Sequence, residues 1–206
     1  MTEEDDLQNF IEFCDSEFGK KVMKAEADFI RKSLGSRPEK ILDIGCGIGA
    51  IEQYLADLNI TGVDESPVFL AEAGRRSNKR FMLGNATDLP FEDGSFDAII
   101  SVTTIEFVEN YKEAIKEINR ILKPRGKIAI LMLNPSSDYV KMHKKNRESY
   151  FNKMKHKSTL ILRREFLPYF DLNERKFFLG IKGNQIFEAE NEKISALVVA
   201  VGKKRE

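Results

Sequence analysis

Three glycines and two aspartates carry the most chemistry in this sequence. In Ile41-Leu42-Asp43-Ile44-Gly45-Cys46-Gly47-Ile48-Gly49-Ala50 an apolar run ends in a glycine-rich turn, followed by helical spacing. Without Cβ atoms, Gly45, Gly47 and Gly49 let the backbone take positive φ and let a ligand lie against it. A helix start beyond them offers free N–H groups. The spacing Gly45-x-Gly47-x-x-Ala50 also fits the dinucleotide fingerprint, so the glycines alone do not choose between cofactor classes. Asp64 closes the next apolar run, 19 positions after Gly45. A carboxylate there accepts both ribose hydroxyls of an adenosine, or merely caps the helix beginning near Ser66. Asp43 lies within a strand, at a position usually apolar in dinucleotide folds. It suits an α-ammonium group, met directly or through water, and so favours an adenosine bearing an amino-acid tail.

The elements that hold these residues follow a βαβ grammar of short apolar runs alternating with helical spacing. Strands are expected at Lys40 to Ile44, Ile60 to Val63, Phe81 to Leu83, Ala98 to Val102 and Lys127 to Leu133. Between them, Ile51, Tyr54, Leu55 and Leu58 share one helical face. Ser66-Pro67 caps a helix reaching about Arg76, and Tyr111 to Leu122 is amphipathic. The stretch from Asn134 to Leu160 is polar, Lys-rich and without a strand. Beyond it, Glu174 to Phe187 and Ile194 to Val201 look like two successive strands, which without a crossover helix must pair antiparallel. The expected fold is α/β and doubly wound. It has a mostly parallel seven-stranded sheet, an antiparallel strand near the C-terminal edge, and helices on both faces.

At this point a family resemblance is visible. Residues 41 to 50 resemble the first motif of class I S-adenosylmethionine-dependent methyltransferases, and Gly62-Val63-Asp64-Glu65-Ser66 resembles the second. Gly84-Asn85-Ala86-Thr87-Asp88-Leu89-Pro90-Phe91 resembles the third, Phe96 to Ser101 the fourth and Leu122-Lys123-Pro124-Arg125-Gly126 the fifth. The pattern spans about residues 10 to 135 and is similar to the broad type 11 family. The resemblance implies S-adenosyl-L-methionine as cofactor and a Rossmann-like methyltransferase fold. It implies a cofactor set of Asp43, Gly45, Gly47, Gly49, Asp64, Glu65, Asn85, Ala86, Ser101 and Val102. Asn85 would reach the adenine amino group, the Ala86 N–H a ring nitrogen, and Ser101 and Val102 the methionine portion. Two departures stand out. Asn85 replaces the family's usual Asp, a weaker neutral acceptor, and Arg125-Gly126 replaces a double glycine.

The acceptor side is less legible. In related methyltransferases an aromatic-x-x-x-x-aromatic-Gly segment folds over the donor, which makes Phe18 and Gly19 lid candidates; the alternative is a capped helix packed on the sheet. Glu106 lies on a loop where acceptor-side groups are found, or is a solvated or capping carboxylate. The segment from Pro135 to Pro168 follows the fifth strand, at the ligand-binding edge of such sheets, and is expected to cover the acceptor with Tyr139 and His143 as contacts. Seven Lys or Arg residues stand against one acid between Lys141 and Lys157. That excess favours an anionic acceptor, unless it is a solvated helical face with Tyr139, Met142, Tyr150, Phe151 and Met154 packing inward. His143 and His156 lack companion ligands, and both are expected at the surface.

Composition sets outer bounds. The chain has 206 residues with 33 basic against 33 acidic side chains, which gives no global pull toward nucleic acid. A single domain is expected, with residues 1–37 as an N-terminal lid or helix and 135–168 as the substrate cover. Acidic residues crowd Met1 to Phe10 where an export signal needs basic ones, and no apolar stretch approaches the roughly 18 residues of a membrane span. Cys14 and Cys46 are too few for a disulfide framework or a zinc site, and no partner base marks Cys46 as a nucleophile. A cytoplasmic protein without a metal is expected, moving a methyl group by direct displacement to an unidentified small-molecule acceptor. A protein or RNA acceptor, a nicotinamide-dependent reductase and a catalytically silent donor-binding protein are the alternatives.

Overall fold

A computed structural model describes residues 2–35 and 38–206, so the expected boundary at residue 37 lies outside the described residues. Two helices come first, α1 (Glu3–Asp15) and α2 (Glu17–Leu34). There follow β1 (Ile41–Ile44), α3 (Ala50–Tyr54), β2 (Ile60–Asp64), α4 (Pro67–Arg76), β3 (Arg80–Leu83) and β4 (Phe96–Val102). Then come α5 (Tyr111–Ile121), β5 (Leu122–Leu133), α6 (Asp138–His143), α7 (Thr159–Glu165), β6 (Phe170–Leu172), β7 (Phe177–Lys182), β8 (Gln185–Phe187) and β9 (Ser195–Lys204).

The strands order as β3-β2-β1-β4-β5-β9-β7-β8, parallel from β3 to β5 and antiparallel beyond. This is the expected α/β class, but the sheet holds nine strands among the described residues rather than seven. Glu174 to Phe187 is not one strand: Gly183, at φ 57°, turns it back on itself as the β7–β8 hairpin. The extra β6 pairs with residues 202–204 of β9, while β7 pairs with residues 195–198 of the same strand.

Alternation along the strands sorts the core into two layers. Ile41, Ala98, Ile100, Ala129, Leu131 and Val199 face α2, α3 and α6. Leu42, Ile99, Ile128, Ile130, Val198 and Ala200 face α5 and α7. Burial on both faces is why these strands read as continuous apolar runs. From β1 the chain moves outward through β2 to β3, then returns to the other side of β1 as β4. That reversal opens a cleft between the carboxyl ends of β1 and β4. Arg125 takes φ 61°, the left-handed conformation that the family's glycine would adopt freely, so this departure falls on the bulge of β5 between its paired residues 122 and 127 rather than on a turn.

Residues 3–34, within the expected N-terminal lid or helix, form two helices rather than one, and the signals of α1 are in the sequence. Thr2 and Asp5 form a reciprocal capping box, and Leu7, Phe10, Ile11 and Cys14 recur at helical spacing. The joint to α2 is tight. Ser16 caps α2 by accepting from the Gly19 N–H at 2.9 Å, and a Cβ on Gly19 would lie 1.8 Å from the Phe13 carbonyl oxygen. Gly19 is thus required by the helix crossing. Gly19→Ala should lower stability by about 1–3 kcal/mol, read as the urea midpoint, because neither backbone can retreat without breaking a helix end. An unchanged midpoint would show that the joint yields freely.

Candidate functional site

A cavity of about 1270 Å³ opens over the carboxyl ends of the parallel strands. Small-ligand sites usually measure about 300–1,000 Å³, so this one has room for two molecules side by side. At one end lies the glycine turn. Gly45 and Gly47 take φ 74° and 54° and line the cavity, Gly45 being pinned because a Cβ there would fall 2.1 Å from Thr104 Oγ1. Gly49 does not line it: its missing Cβ makes room for Phe81, and it starts α3 in the left-handed conformation. Thr103, unremarked in sequence, also takes a positive φ of 52° at the end of β4, strain of the kind that clusters at functional sites.

Asp64 lines the cavity and braces the turn. One carboxylate oxygen accepts the Gly47 N–H at 2.9 Å and the other the Ser66 N–H at 2.9 Å. Each oxygen keeps a second lone pair for a hydroxyl. Asp64 thus steadies the entrance to α4 through Ser66 and also faces the cleft. Burial raises its carboxyl above the ordinary value, and the Ser66, Gly47 and Glu65 backbone bonds oppose that rise. Glu65 is exposed at the rim.

Asp43, 2% exposed, also reaches the cavity, and its Oδ1 has no partner. Against it stands Glu52 of α3, fully buried and marked by no motif in the sequence. Among the described residues no cation separates the two. Burial first, then the Glu52 carboxyl, holds Asp43 well above the carboxylate range, which favours one proton shared by the pair.

The third-strand loop brings Asn85 and Ala86 to the cavity wall. The Asn85 carbonyl already accepts the Thr87 N–H at 2.9 Å and the Thr87 hydroxyl at 2.8 Å, so it would have to surrender one bond to receive an adenine amine. Val102 lines the cavity, whereas Ser101 does not. Its hydroxyl is fully buried and donates to the Ile44 carbonyl at 2.8 Å, tying β4 to β1 at the switch point.

The acceptor-side expectations need more revision. Phe18 is outside the cavity, packed edge-on against Phe13 with centroids 6.1 Å apart; Phe10 and Phe13 of α1 line the space instead. Glu106 is neither solvated nor in the cavity. It is fully buried and accepts the Leu133 N–H at 2.6 Å. Tyr139 and His143 do line the cavity, their rings 4.5 Å apart, with Phe151 5.2 Å beyond His143. Burial lowers His143 below the ordinary imidazole value. His156 is half-buried, its Nε2 2.8 Å from the Val108 carbonyl, rather than at the open surface.

Of the seven basic side chains between Lys141 and Lys157, only Lys153 and Lys155 face the cavity, and each is paired, to Asp6 and Glu109 respectively. The expected pull toward an anion is therefore spent on intramolecular pairs. These pairs fasten the 135–168 segment to α1 and to the loop after β4. Cys46 is buried, and burial pushes its thiol far above the ordinary value, which removes it as a nucleophile. Among the described residues no cluster of His, Cys, Asp or Glu has metal-site geometry, and no helix is long and apolar enough to cross a membrane.

One further acid, Glu26 on α2, is 3% exposed and lines the cavity. Burial and the nearby Glu106 carboxyl push it up to about 8, and burial pushes Glu106 up to about 8 as well. Unfolded glutamates titrate near 4.3. The folded chain thus keeps protons that the unfolded chain releases, so this contribution to stability is full below about pH 4 and lost as pH rises through about 8. Thermal midpoints should fall between pH 5 and 9, at about 2–4 °C per kcal/mol for a chain this size, and fall less in Glu26→Gln. A flat profile would show that these carboxyls stay ionised inside the fold.

A family profile described as methyltransferase domain matches residues 42–130. An uncharacterised protein of Methanocaldococcus jannaschii is 31% identical over 136 residues, 66% of this chain and 59% of that protein. The demethylmenaquinone methyltransferase of Thermotoga maritima is 37% identical over 103 residues, 48% of this chain and 45% of that enzyme. This chain spans about half the length, or less, of most curated relatives it matches. Among solved structures, a Thermotoga maritima S-adenosylmethionine-dependent methyltransferase, described as a possible histamine N-methyltransferase, superposes with a TM-score of 0.74. It is 26% identical, with 89% of each chain covered.

Proposed function

We propose that this chain, which belongs to the class I S-adenosylmethionine-dependent methyltransferases, binds S-adenosylmethionine at the glycine turn and transfers its methyl group to a small molecule. The observation that carries the reading is one continuous cavity running from Gly45, Gly47 and Asp64 at one end to Tyr139 and His143 at the other. Its residues fit the donor. Asp43 presents a buried, unpartnered carboxyl oxygen for the α-ammonium group, and Gly47 leaves open the space a side chain would fill beneath Phe10. Asp64 offers its free lone pairs to the ribose. The sterol, demethylmenaquinone and ajmaline methyltransferases among the relatives are named for small acceptors, which supports the same class here.

The donor, when bound, supplies an already activated sulfonium methyl group. The work left to the chain is therefore alignment and exclusion of water, which in favourable cases is worth about 7–11 kcal/mol. Phe10 and Phe13 from α1, with Phe107, Tyr150 and Phe151, wall the cavity with aromatic surface. The Lys153–Asp6 pair holds the two covering segments together over it. No covalent intermediate on the protein is required, in keeping with the inert Cys46.

Calorimetry with the donor and with S-adenosylhomocysteine tests binding, and labelled methyl transfer into a small-molecule fraction tests transfer. Asp64→Ala should weaken donor affinity about ten- to a hundredfold, the equivalent of one or two charge-assisted bonds. Unchanged affinity in the folded variant would take Asp64 out of the site. Donor binding should also release protons, because its ammonium displaces the proton shared by Asp43 and Glu52. Affinity should accordingly rise with pH from 6 to 8 in the wild type and stay level in Asp43→Asn. Binding enthalpies that do not change with buffer ionisation enthalpy would contradict that exchange.

A further inference from the structure

The part of the cavity away from the glycine turn has an unusual make-up for a small-molecule site. Its floor is apolar: Val22, Met23, Leu179, Ile181 and Leu197. Leu179 takes φ 65° within β7, between Phe178, which opposes Leu197, and Gly180, which opposes Ser195 in the same register. For a bulky residue this is a costly conformation, and it delivers the side chain to the cavity. Into this apolar floor α2 places Glu26, whose Oε2 is buried with no hydrogen-bond donor. Every buried carboxyl without a partner costs free energy, so the fold has reason to lose it unless something binds there. Among the described residues no lysine or arginine pairs with it. The acid behind it is Glu106, and the groups facing it from the other elements are Tyr139 of α6 and the Cys14 thiol of α1. The ring cluster of Tyr139, His143 and Phe151 forms the adjoining wall.

An unpaired carboxyl beside electron-rich rings is the recognition chemistry of a cation on an organic body: the carboxylate balances the charge and the ring faces attract it. An anionic acceptor would meet Glu26 and Glu106 with no counter-charge. We propose that this end of the cavity is the acceptor subsite, that it takes a small basic amine carried on an apolar or aromatic body, and that Glu26 is the group that holds its nitrogen. The proposal rests on the methyltransferase reading above and specifies its acceptor class. In the transfer itself, the bound ammonium gives one proton to the Glu26 carboxylate. The freed lone pair forms the N–C bond as the C–S bond of the sulfonium breaks onto sulfur, and the proton leaves to solvent when product departs. Nothing beyond the donor is consumed.

The test uses the full chain saturated with S-adenosylhomocysteine and three probe bodies (propyl, phenylethyl and indolylethyl), each carrying an amine, an alcohol or a carboxylate. Calorimetry should show at least one amine bound about tenfold or more tightly than its matched alcohol and carboxylate. In Glu26→Gln, which keeps shape and loses charge, that preference should collapse while alcohol binding is unchanged. Methyl transfer to the same amine should rise with pH as Glu26 ionises in the wild type. In Glu26→Gln it should follow the amine's own titration alone. Amines bound no better than carboxylates across all three bodies, or a preference undiminished in a folded Glu26→Gln protein, overturns the proposal. S-Adenosylhomocysteine binding, measured first, separates the two ideas. If it fails, the methyltransferase reading and this inference fall together; if it succeeds without amine preference, only this inference does.

Discussion

The structure depends on how closely two backbones approach at the point where the sheet changes direction. After β1 the chain must turn sharply under the end of β4, and Gly45 makes that possible by leaving its Cβ position to Thr104. Ser101 ties the same two strands from within, its hydroxyl on the Ile44 carbonyl, and the Gly45 N–H reaches the Val63 carbonyl at 2.7 Å. Three strand ends are thereby fixed together. The turn that follows can then hold Gly47 against the Asp64 carboxylate, and the cavity exists because those ends cannot close over it. A side chain at Gly45 would push β4 outward and undo the brace as well as the cleft.

A second constraint is electrostatic. Asp43, Glu52, Glu26 and Glu106 are all buried, and none has a cationic partner among the described residues. Ionised carboxylates at such depth would carry several kcal/mol each in desolvation, so burial favours their protonated forms. The cost is uneven in what it returns. Glu106 secures the end of β5 through the Leu133 N–H, a structural use. Asp43 and Glu26 instead line the cavity, and burial raises both carboxyls above the ordinary value. Two positive centres, one on the donor's tail and one on the acceptor, would thus be read by acids that the fold otherwise holds neutral.

Two segments outside the parallel sheet also line the cavity. Helix α1 and the 135–168 segment come from distant parts of the sequence, and the Lys153–Asp6 pair joins them across the cavity. Lys155 on Glu109 fixes the second segment to the loop after β4. Exposed pairs of this kind contribute little to stability. Asp6, however, is buried, so its pairing with Lys153 is the stronger clasp and sets the position of the aromatic wall.

The sequence by itself determined the parallel half of the sheet, the glycine turn, Asp43 and Asp64. These are local signals: apolar runs buried on both faces, glycines at required positive φ, and acids at fixed distance from them. It also determined the cap of α4, where Ser66 accepts the Phe69 N–H as its type and the following Pro67 imply. Tertiary structure alone decided which acids face a ligand and which brace the chain. Glu106 and Ser101 sit at sequence positions close to the cleft yet point into the core, while Glu26 and Phe10 lie far from any motif and line the cavity. The Lys-rich stretch pointed to an anion because net local charge is visible in sequence, whereas its partners Asp6 and Glu109 are visible only once the chain has folded. The physical reason is common to all these cases. Backbone conformation and strand burial are set by neighbours along the chain, but a side chain's partner, and hence its charge, is set by whatever the fold brings against it.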